Sequence, residues 1–284
     1  MRCAWKELLG ILPPGIRSDV DKAGREVLQE LRLRINAPPE LVTASGSFWL
    51  HRNFAREDLD FVVNAATHYS PWTASSAARG YITAPGGHRI GLCGEVVCKD
   101  GVPSGLRTVS SLCIRVARDF PGIAAGIGDI KGSVLILGAP GWGKTTLLRD
   151  LIRQLSAGQH VAVIDERREL FPEGFARGRC QDTLSGCPKG TAVEMVLRTM
   201  GPQWIAVDEI TAEEDVRSLV RSAGCGVRLL ATAHAGCLED FYERPIYHPL
   251  WKENIFQTLV LLKQDRTFTV ERMKPCISNG LVPC

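Results

Sequence analysis

Residues 138 to 145 read Gly-Ala-Pro-Gly-Trp-Gly-Lys-Thr, the residue types and spacing of a loop that wraps phosphate. Glycines at 138, 141 and 143 admit backbone angles closed to other residues, so amide hydrogens can converge on phosphate oxygens where a helix begins. Gly138, Ala139, Pro140, Gly141, Trp142, Gly143, Lys144, Thr145 and Thr146 are therefore the expected nucleotide contacts. Lys144 would reach the outer phosphates and Thr145 would ligate magnesium. The pattern admits the bulky Trp142 without assigning it a role.

Phosphoryl transfer is mostly positioning and charge neutralisation, so such a loop needs one acid for the metal and another to orient or deprotonate water. Two acidic strand ends compete for these roles. Trp204-Ile205-Ala206-Val207 ends in Asp208-Glu209, which offers Asp208 to the metal, directly or through water, and Glu209 to the nucleophilic water. Val161-Ala162-Val163-Ile164 ends in Asp165-Glu166-Arg167-Arg168-Glu169. Both ends are expected to face the nucleotide, against the plainer reading of solvated acids capping strands. A third strand, Val227 to Ala231, runs into Thr232-Ala233-His234, bringing a hydroxyl and an imidazole out beside the acids, where a polar group can sense the γ-phosphate. The plainer reading of His234 is a satisfied structural histidine. Arginines 89, 107, 115, 118, 167, 168, 179 and 198 are candidate charge stabilisers.

The elements that must hold these groups follow from periodicity. Ser133 to Leu137 is apolar and β-branched, as a buried parallel strand should be, and Leu147, Leu148, Leu151, Ile152 and Leu155 carry helical spacing. From residue 126 onward, short apolar strands at 134–137, 161–164, 204–207 and 227–231 alternate with helical segments after Lys144 and around 192–200 and 213–223. That alternation implies a parallel sheet covered on both faces, with ligands bound beyond the carboxyl ends of its strands. Residues 256–262 and 267–270 suggest a closing hairpin.

Before Pro121-Gly122 the texture is short and mixed. Ser18 and Asp19 predict the start of a helix running to about Glu30, and Leu31 to Ile35 alternates as a half-buried strand. Strands are expected at 40–43, 48–51 and 108–117, a helix over 56–69, and a hairpin of 81–83 with 88–98 around Pro85-Gly86-Gly87. Gly91 and Gly94 allow a bulge or a close approach there. The reading is α/β: a small α+β domain over residues 1–120, then a P-loop domain with a parallel sheet over 121–284.

A chain of 284 residues suits two ordinary domains, and 45% apolar with 23% charged residues is a globular composition rather than a disordered one. A net charge of +3 neither demands nor excludes nucleic acid or an anionic membrane as partner. Lys6 and Glu7 interrupt the first apolar stretch, so no secretory peptide is read, and no apolar run approaches the ~20 residues of a membrane span. The ten cysteines (3, 93, 98, 113, 180, 187, 225, 237, 276 and 284) contain no C-x-x-C pair, which favours reduced thiols over a zinc site.

Taken together, several segments resemble the stage III sporulation protein AA family, related to the ATPases of type II and type IV secretion and pilus machines. They are residues 30–34, 80–92 and 110–118, the phosphate loop, Ile164-Asp165-Glu166-Arg167, Gly186-Cys187-Pro188-Lys189, Val207-Asp208-Glu209-Ile210 and Ala231-Thr232-Ala233-His234. The resemblance implies a RecA-like (ASCE) P-loop NTPase domain with ATP and Mg2+ as ligands. It places Asp165, Glu166 and Glu169 in an acidic box, Asp208 and Glu209 in Walker B, and His234 in a histidine box. Glu169 then matches the usual water-activating glutamate and competes with Glu209 for that role. Trp142 stands where the family has a small residue, and Phe171-Pro172-Glu173-Gly174 where small residues are commoner.

The same resemblance implies a cytoplasmic ATPase of the mother cell, a homo-oligomer in the form of a hexameric ring, docked on membrane-embedded channel proteins of the sporulation apparatus. In that picture the first domain moves against the second. Two rival readings are a nucleic-acid motor, in which a hairpin bearing His88 and Arg89 touches phosphates, and a nucleotide-gated scaffold that hardly hydrolyses. The chain lacks the dense basic, aromatic-interleaved patch that nucleic-acid work usually shows, so nucleic acid is not the expected partner.

Overall fold

The structure is a computed structural model that describes residues 1–68, 80–172 and 174–273. Tyr69 at the end of one expected helix, Glu173, Cys276 and Cys284 lie outside the described residues. The chain divides into two compact units, Met1–Asp119 with Pro172–Phe175, and Phe120–Phe171 with Ala176–Cys284.

The first unit is built on an antiparallel sheet of β1 (Leu28–Arg34), β2 (Glu40–Thr43), β3 (Gly46–Trp49), β4 (Tyr81–Thr83), β5 (Arg89–Lys99) and β6 (Val102–Arg115), in the order β3-β2-β1-β6-β5-β4. Leu31 and Leu33 on β1 alternate inward, as a one-sided sheet requires. Three helices, α1 (Trp5–Ile11), α2 (Pro14–Ala23) and α3 (Arg56–Ala66), bury Leu8, Ile16, Val20, Leu59 and Val62 in the same apolar cluster. The helix expected from Ser18 to Glu30 is displaced. Proline at the first position of α2 supplies a helical φ before any Ser18 cap can act, and the chain leaves the helix at Gly24 with φ 84°. Residues 28–30 already belong to β1.

The hairpin of β4 and β5 turns through Gly86 and Gly87, at φ 76° and 79°. Gly94 sits at a register shift against β6, where an added Cβ would lie 1.9 Å from the Thr108 carbonyl oxygen, so only glycine fits.

His88 overturns one expectation, because it is fully buried and cannot reach a nucleic-acid phosphate. Its Nε2 bonds the Ala4 carbonyl at 2.8 Å and its Nδ1 accepts the Ala117 amide at 3.1 Å, while Arg89 stacks over the Tyr81 ring at 4.1 Å. Those two bonds require the neutral imidazole, and burial holds the group below its ordinary value of 6.5, against the Ala4 bond and the Glu7 charge. As pH falls through 6.5 the unfolded chain takes a proton that the folded one refuses, so stability should fall with it until the depressed folded value is reached. Urea midpoints of the full chain at pH 7.5 and 5.5 check this. The acid-side loss should shrink in His88→Gln, whose amide keeps a donor and an acceptor but does not titrate.

The second unit alternates strands and helices: β7 (Val134–Leu137), α4 (Lys144–Leu155), β8 (Val161–Asp165), β9 (Gln181–Ser185), α5 (Lys189–Thr199), β10 (Trp204–Ile210), α6 (Glu213–Gly224), β11 (Arg228–Ala233), α7 (Leu238–Glu243), α8 (His248–Lys252), β12 (Thr258–Leu262) and β13 (Phe268–Arg272). The sheet order is β13-β12-β7-β11-β10-β8-β9, parallel except for the β12–β13 hairpin. Strands β7 and β8 are buried at every residue because both faces are covered. Leu135, Leu137, Ile205 and Val207 point to the cluster with Val193, Val196, Val216 and Leu219 of α5 and α6. Val134, Ile136, Val163 and Ala206 point the other way, to Leu148, Leu151 and Ile152 of α4. Strand β11 lies between β7 and β10, which determines what meets beyond their carboxyl ends.

Candidate nucleotide site

Strand β7 runs out at Leu137 and the chain crosses to α4 through residues 138–143. Gly141 (φ 79°) and Gly143 (φ 102°) take left-handed angles, and an added Cβ at Gly138 would press against Leu262 at 3.1 Å. Gly143 caps α4 with its backbone, so the first-turn amides of the helix, which have no carbonyl one turn earlier, face the loop together with the positive end of the helix dipole. The cradle geometry is that of an anion site, and Trp142 lies half-buried beside it.

Lys144 is buried and its Nζ donates to the Ala139 carbonyl at 3.0 Å, with His234 Nδ1 also at 3.0 Å. An ammonium can only donate, so His234 accepts at Nδ1, carries its proton on Nε2 and donates to Glu209 Oε1 at 2.7 Å. The other oxygen of Glu209, Oε2, accepts from Arg167 at 2.9 Å. A second chain runs alongside: Thr145 Oγ1 donates to Asp208 Oδ2 at 2.7 Å, Thr232 Oγ1 donates to Asp208 Oδ1 at 2.7 Å, and the Glu209 amide donates to Thr232 Oγ1 at 2.7 Å. Because β11 separates β7 from β10, His234 sits between Lys144 and Glu209, and Thr232 meets Asp208.

The charges respond to one another. Burial lowers the Lys144 ammonium below its usual range, opposed by the carboxylates of Asp208 and Glu209. Burial alone would raise Glu209, but the His234 hydrogen bond and the charges of Arg167 and Lys189 outweigh it and hold the carboxyl below the ordinary glutamate value. Glu209 also adopts φ 58°, unusual for a residue with a side chain.

A cavity of about 60 Å3 opens among these groups, lined by Thr145, Asp165, Glu166, Glu169, Asp208 and Glu209. The acidic strand ends are used unequally. Asp165 is buried and accepts the amides of Glu169 at 2.8 Å, Leu170 at 3.0 Å and Phe171 at 3.4 Å, so its oxygens serve the backbone rather than a metal. Burial pushes its carboxyl above the ordinary aspartate range even though these three amides favour the anion. Glu166 pairs with the buried Lys189 at 3.0 Å, and Lys189 also meets Asp215 at 3.4 Å. Glu169 lines the same cavity as Thr145.

A larger groove of about 560 Å3 beside α5 and α6 shares Glu166 and Lys189 with this cavity. Its walls alternate in sign through Glu194, Glu214, Arg217 and Arg221, so it presents no concentrated field for a triphosphate.

Two groups escaped sequence reasoning. Arg149 is buried on α4 and clasps the Glu169–Leu170 backbone, and Lys189 had no assigned role. A charged residue in an amphipathic helix looks the same in sequence whether it lies on the solvent side or beneath a loop, so only the fold reveals Arg149. Oxygen donors at Thr145 and Asp208 match the preference of Mg2+, which commonly completes its shell with phosphate and water. Among the described residues no group of three or more His, Cys, Asp or Glu side chains is placed to hold a metal ion.

With this geometry in view, the family model described as "Sporulation stage III, protein AA" matches residues 5–272. Stage III sporulation protein AA of Bacillus subtilis (strain 168) is 33% identical, aligned over 92% of this chain and 91% of its own length. Two solved structures share the fold. The pilus retraction motor PilT with bound ADP superposes with TM-score 0.61 at 16% identity, over 92% of this chain and 83% of its own. The ATPase DotB of Legionella pneumophila gives TM-score 0.59 at 17% identity, over 89% of this chain and 78% of its own. The fold is thus the RecA-like α/β fold of secretion ATPases.

Proposed function

This chain belongs to the stage III sporulation protein AA family, and from that premise we propose that it hydrolyses ATP to power or gate a secretion-type channel during endospore formation. The observation that carries the reading is the 2.7 Å contact between Thr145 at the head of α4 and Asp208 at the end of β10, where phosphate loop and acidic strand meet in one cavity.

The amides and side chains of residues 138–146 hold the triphosphate, and Lys144 exchanges its bonds to Ala139 and His234 for phosphate oxygens. Thr145 and Asp208 hold magnesium, which when bound supplies charge neutralisation on the outer phosphates. Glu169 orients and deprotonates water. Glu209 and His234 form the relay that registers whether Lys144 is engaged, since moving the lysine frees His234 Nδ1. The identity of PilT as a retraction motor supports motor work, and the Bacillus relative supports the sporulation setting. Residues 1–120 and 121–284 serve as two domains, and the working form is a hexameric ring on the cytoplasmic face of the mother-cell membrane, bound to membrane-embedded channel proteins. No helix among the described residues is long and apolar enough to cross a membrane, so channel partners would supply the membrane contact.

The test is Mg-ATP turnover measured across protein concentrations, with molecular mass determined on the same samples. Specific activity should rise as the assembly forms. Full activity in a monomer would overturn the shared ring site, and folded protein without magnesium-dependent affinity for any purine triphosphate would overturn the hydrolase reading.

A further inference from the structure

We propose that Arg149 and Asp165 are positioning residues for hydrolysis: together they clamp the backbone of residues 169–171 from two sides and so fix where the Glu169 carboxylate stands. This rests on Glu169 as the base.

Five backbone contacts define the clamp. Asp165, at the end of β8, receives the amides of Glu169 on Oδ1 and of Leu170 and Phe171 on Oδ2. Arg149, one helical turn after Thr145, donates Nη2 to the Glu169 carbonyl at 3.0 Å and Nε to the Leu170 carbonyl. The carboxylate thus takes the donors of the loop and the guanidinium takes its acceptors. Leu170 and Phe171 are buried in the α4 cluster, so the loop is anchored just beyond Glu169, while Arg168 N bonds the Asp165 carbonyl at 3.2 Å just before it.

Burying an arginine and an aspartate is costly unless each is satisfied, and an apolar pair would fill the same volume at lower cost. A fork of fixed donors is what a pair of successive carbonyls needs and what an apolar side chain lacks. Arg149 belongs to the helix whose first turn faces the phosphates, so the base loop is indexed to the same rigid element that holds the substrate. A displacement of about 1 Å from a productive geometry can cost on the order of 100-fold in rate, which makes such indexing consequential.

The experiment uses the full chain with Arg149→Lys and Asp165→Asn, each alone and combined with Glu169→Gln, reading single-turnover ATP hydrolysis and Mg-nucleotide affinity. Asparagine keeps the shape of aspartate but turns an amino group toward the Leu170 amide, and lysine keeps charge but not the fork. Each single variant should slow hydrolysis by about 100-fold, with affinity within about 2-fold of the parent and no further slowing in the Glu169→Gln background, since residues acting through one group are non-additive. Equal slowing with and without Glu169, or affinity falling in step with rate, would overturn the proposal. Hydrogen exchange on the unsubstituted protein gives a readout that needs no variant: the amides of Glu169 and Leu170 should be protected beyond those of ordinary surface loops, and rapid exchange would overturn the clamp. Parent-like turnover in Glu169→Gln alone would instead remove the base assignment, a result distinct from additivity or unprotected amides.

Discussion

Replacing Lys144 with alanine should lower ATP turnover by on the order of 1,000-fold, the upper range for removing one preorganised stabilising donor. The size follows from where the charge sits. Lys144 is buried beside Asp208 and Glu209, with Glu169 on the wall of the adjoining cavity. Without it, an incoming triphosphate meets carboxylates with no ammonium between, so both binding and chemistry suffer. The same substitution should leave melting temperature unchanged or higher, because burial already disfavours the lysine cation in the folded chain. Steady-state kinetics with a parallel thermal melt separates the two effects. Parent-like turnover in a folded Lys144→Ala protein would end the assignment of this loop.

Glu169→Gln and Glu209→Gln should diverge. A general base contributes roughly 10²- to 10⁴-fold, and Glu169→Gln should lose an effect of that order while still binding nucleotide. Glu209 is the weaker candidate for the proton, since His234 and Arg167 occupy both its oxygens and hold its carboxyl low. Its amide variant should slow hydrolysis less and act on nucleotide affinity instead, by loosening His234 from Lys144. Single-turnover rates paired with calorimetric affinities decide it. The reverse pattern would make Glu209 the base, and equal, mild effects would remove both.

The parts of the fold that were legible share a physical cause. Strands β7, β8, β10 and β11 are short apolar runs, and the helices between them carry an apolar stripe, so burial on both faces was written in composition and period. Strand β9, Gln181–Ser185, was not read because an edge strand of polar residues carries no apolar run. The helix at Pro14–Ala23 was misplaced because Ser18 and Asp19 looked like caps, whereas the fixed φ of Pro14 had already started the turn. In the site, the spacing around Gly138 and the acids at 208 and 209 pointed to a common ligand. That His234 would lie within reach of Lys144 depends on β11 entering the sheet between β7 and β10, a long-range choice that no local pattern encodes. The division of labour in Asp165-Glu166-Arg167-Arg168-Glu169 was hidden for the same reason. Only packing against Arg149 and Lys189 shows which acid serves the backbone, which serves a buried lysine, and which faces the cavity.

The positive φ of Glu209 has a consequence for how this residue can be varied. In a regular strand, neighbours point to opposite faces, and Asp208 and Glu209 could not both address one cavity. The left-handed turn of the backbone at 209 cancels the alternation and swings two adjacent acids to the same side, at a conformational cost of about 1 to 2 kcal/mol. A β-branched replacement such as Glu209→Val would therefore injure the scaffold along with the chemistry. Glu209→Asn, a side chain at home in that twist, is the substitution that isolates the loss of the carboxylate from the loss of the bend.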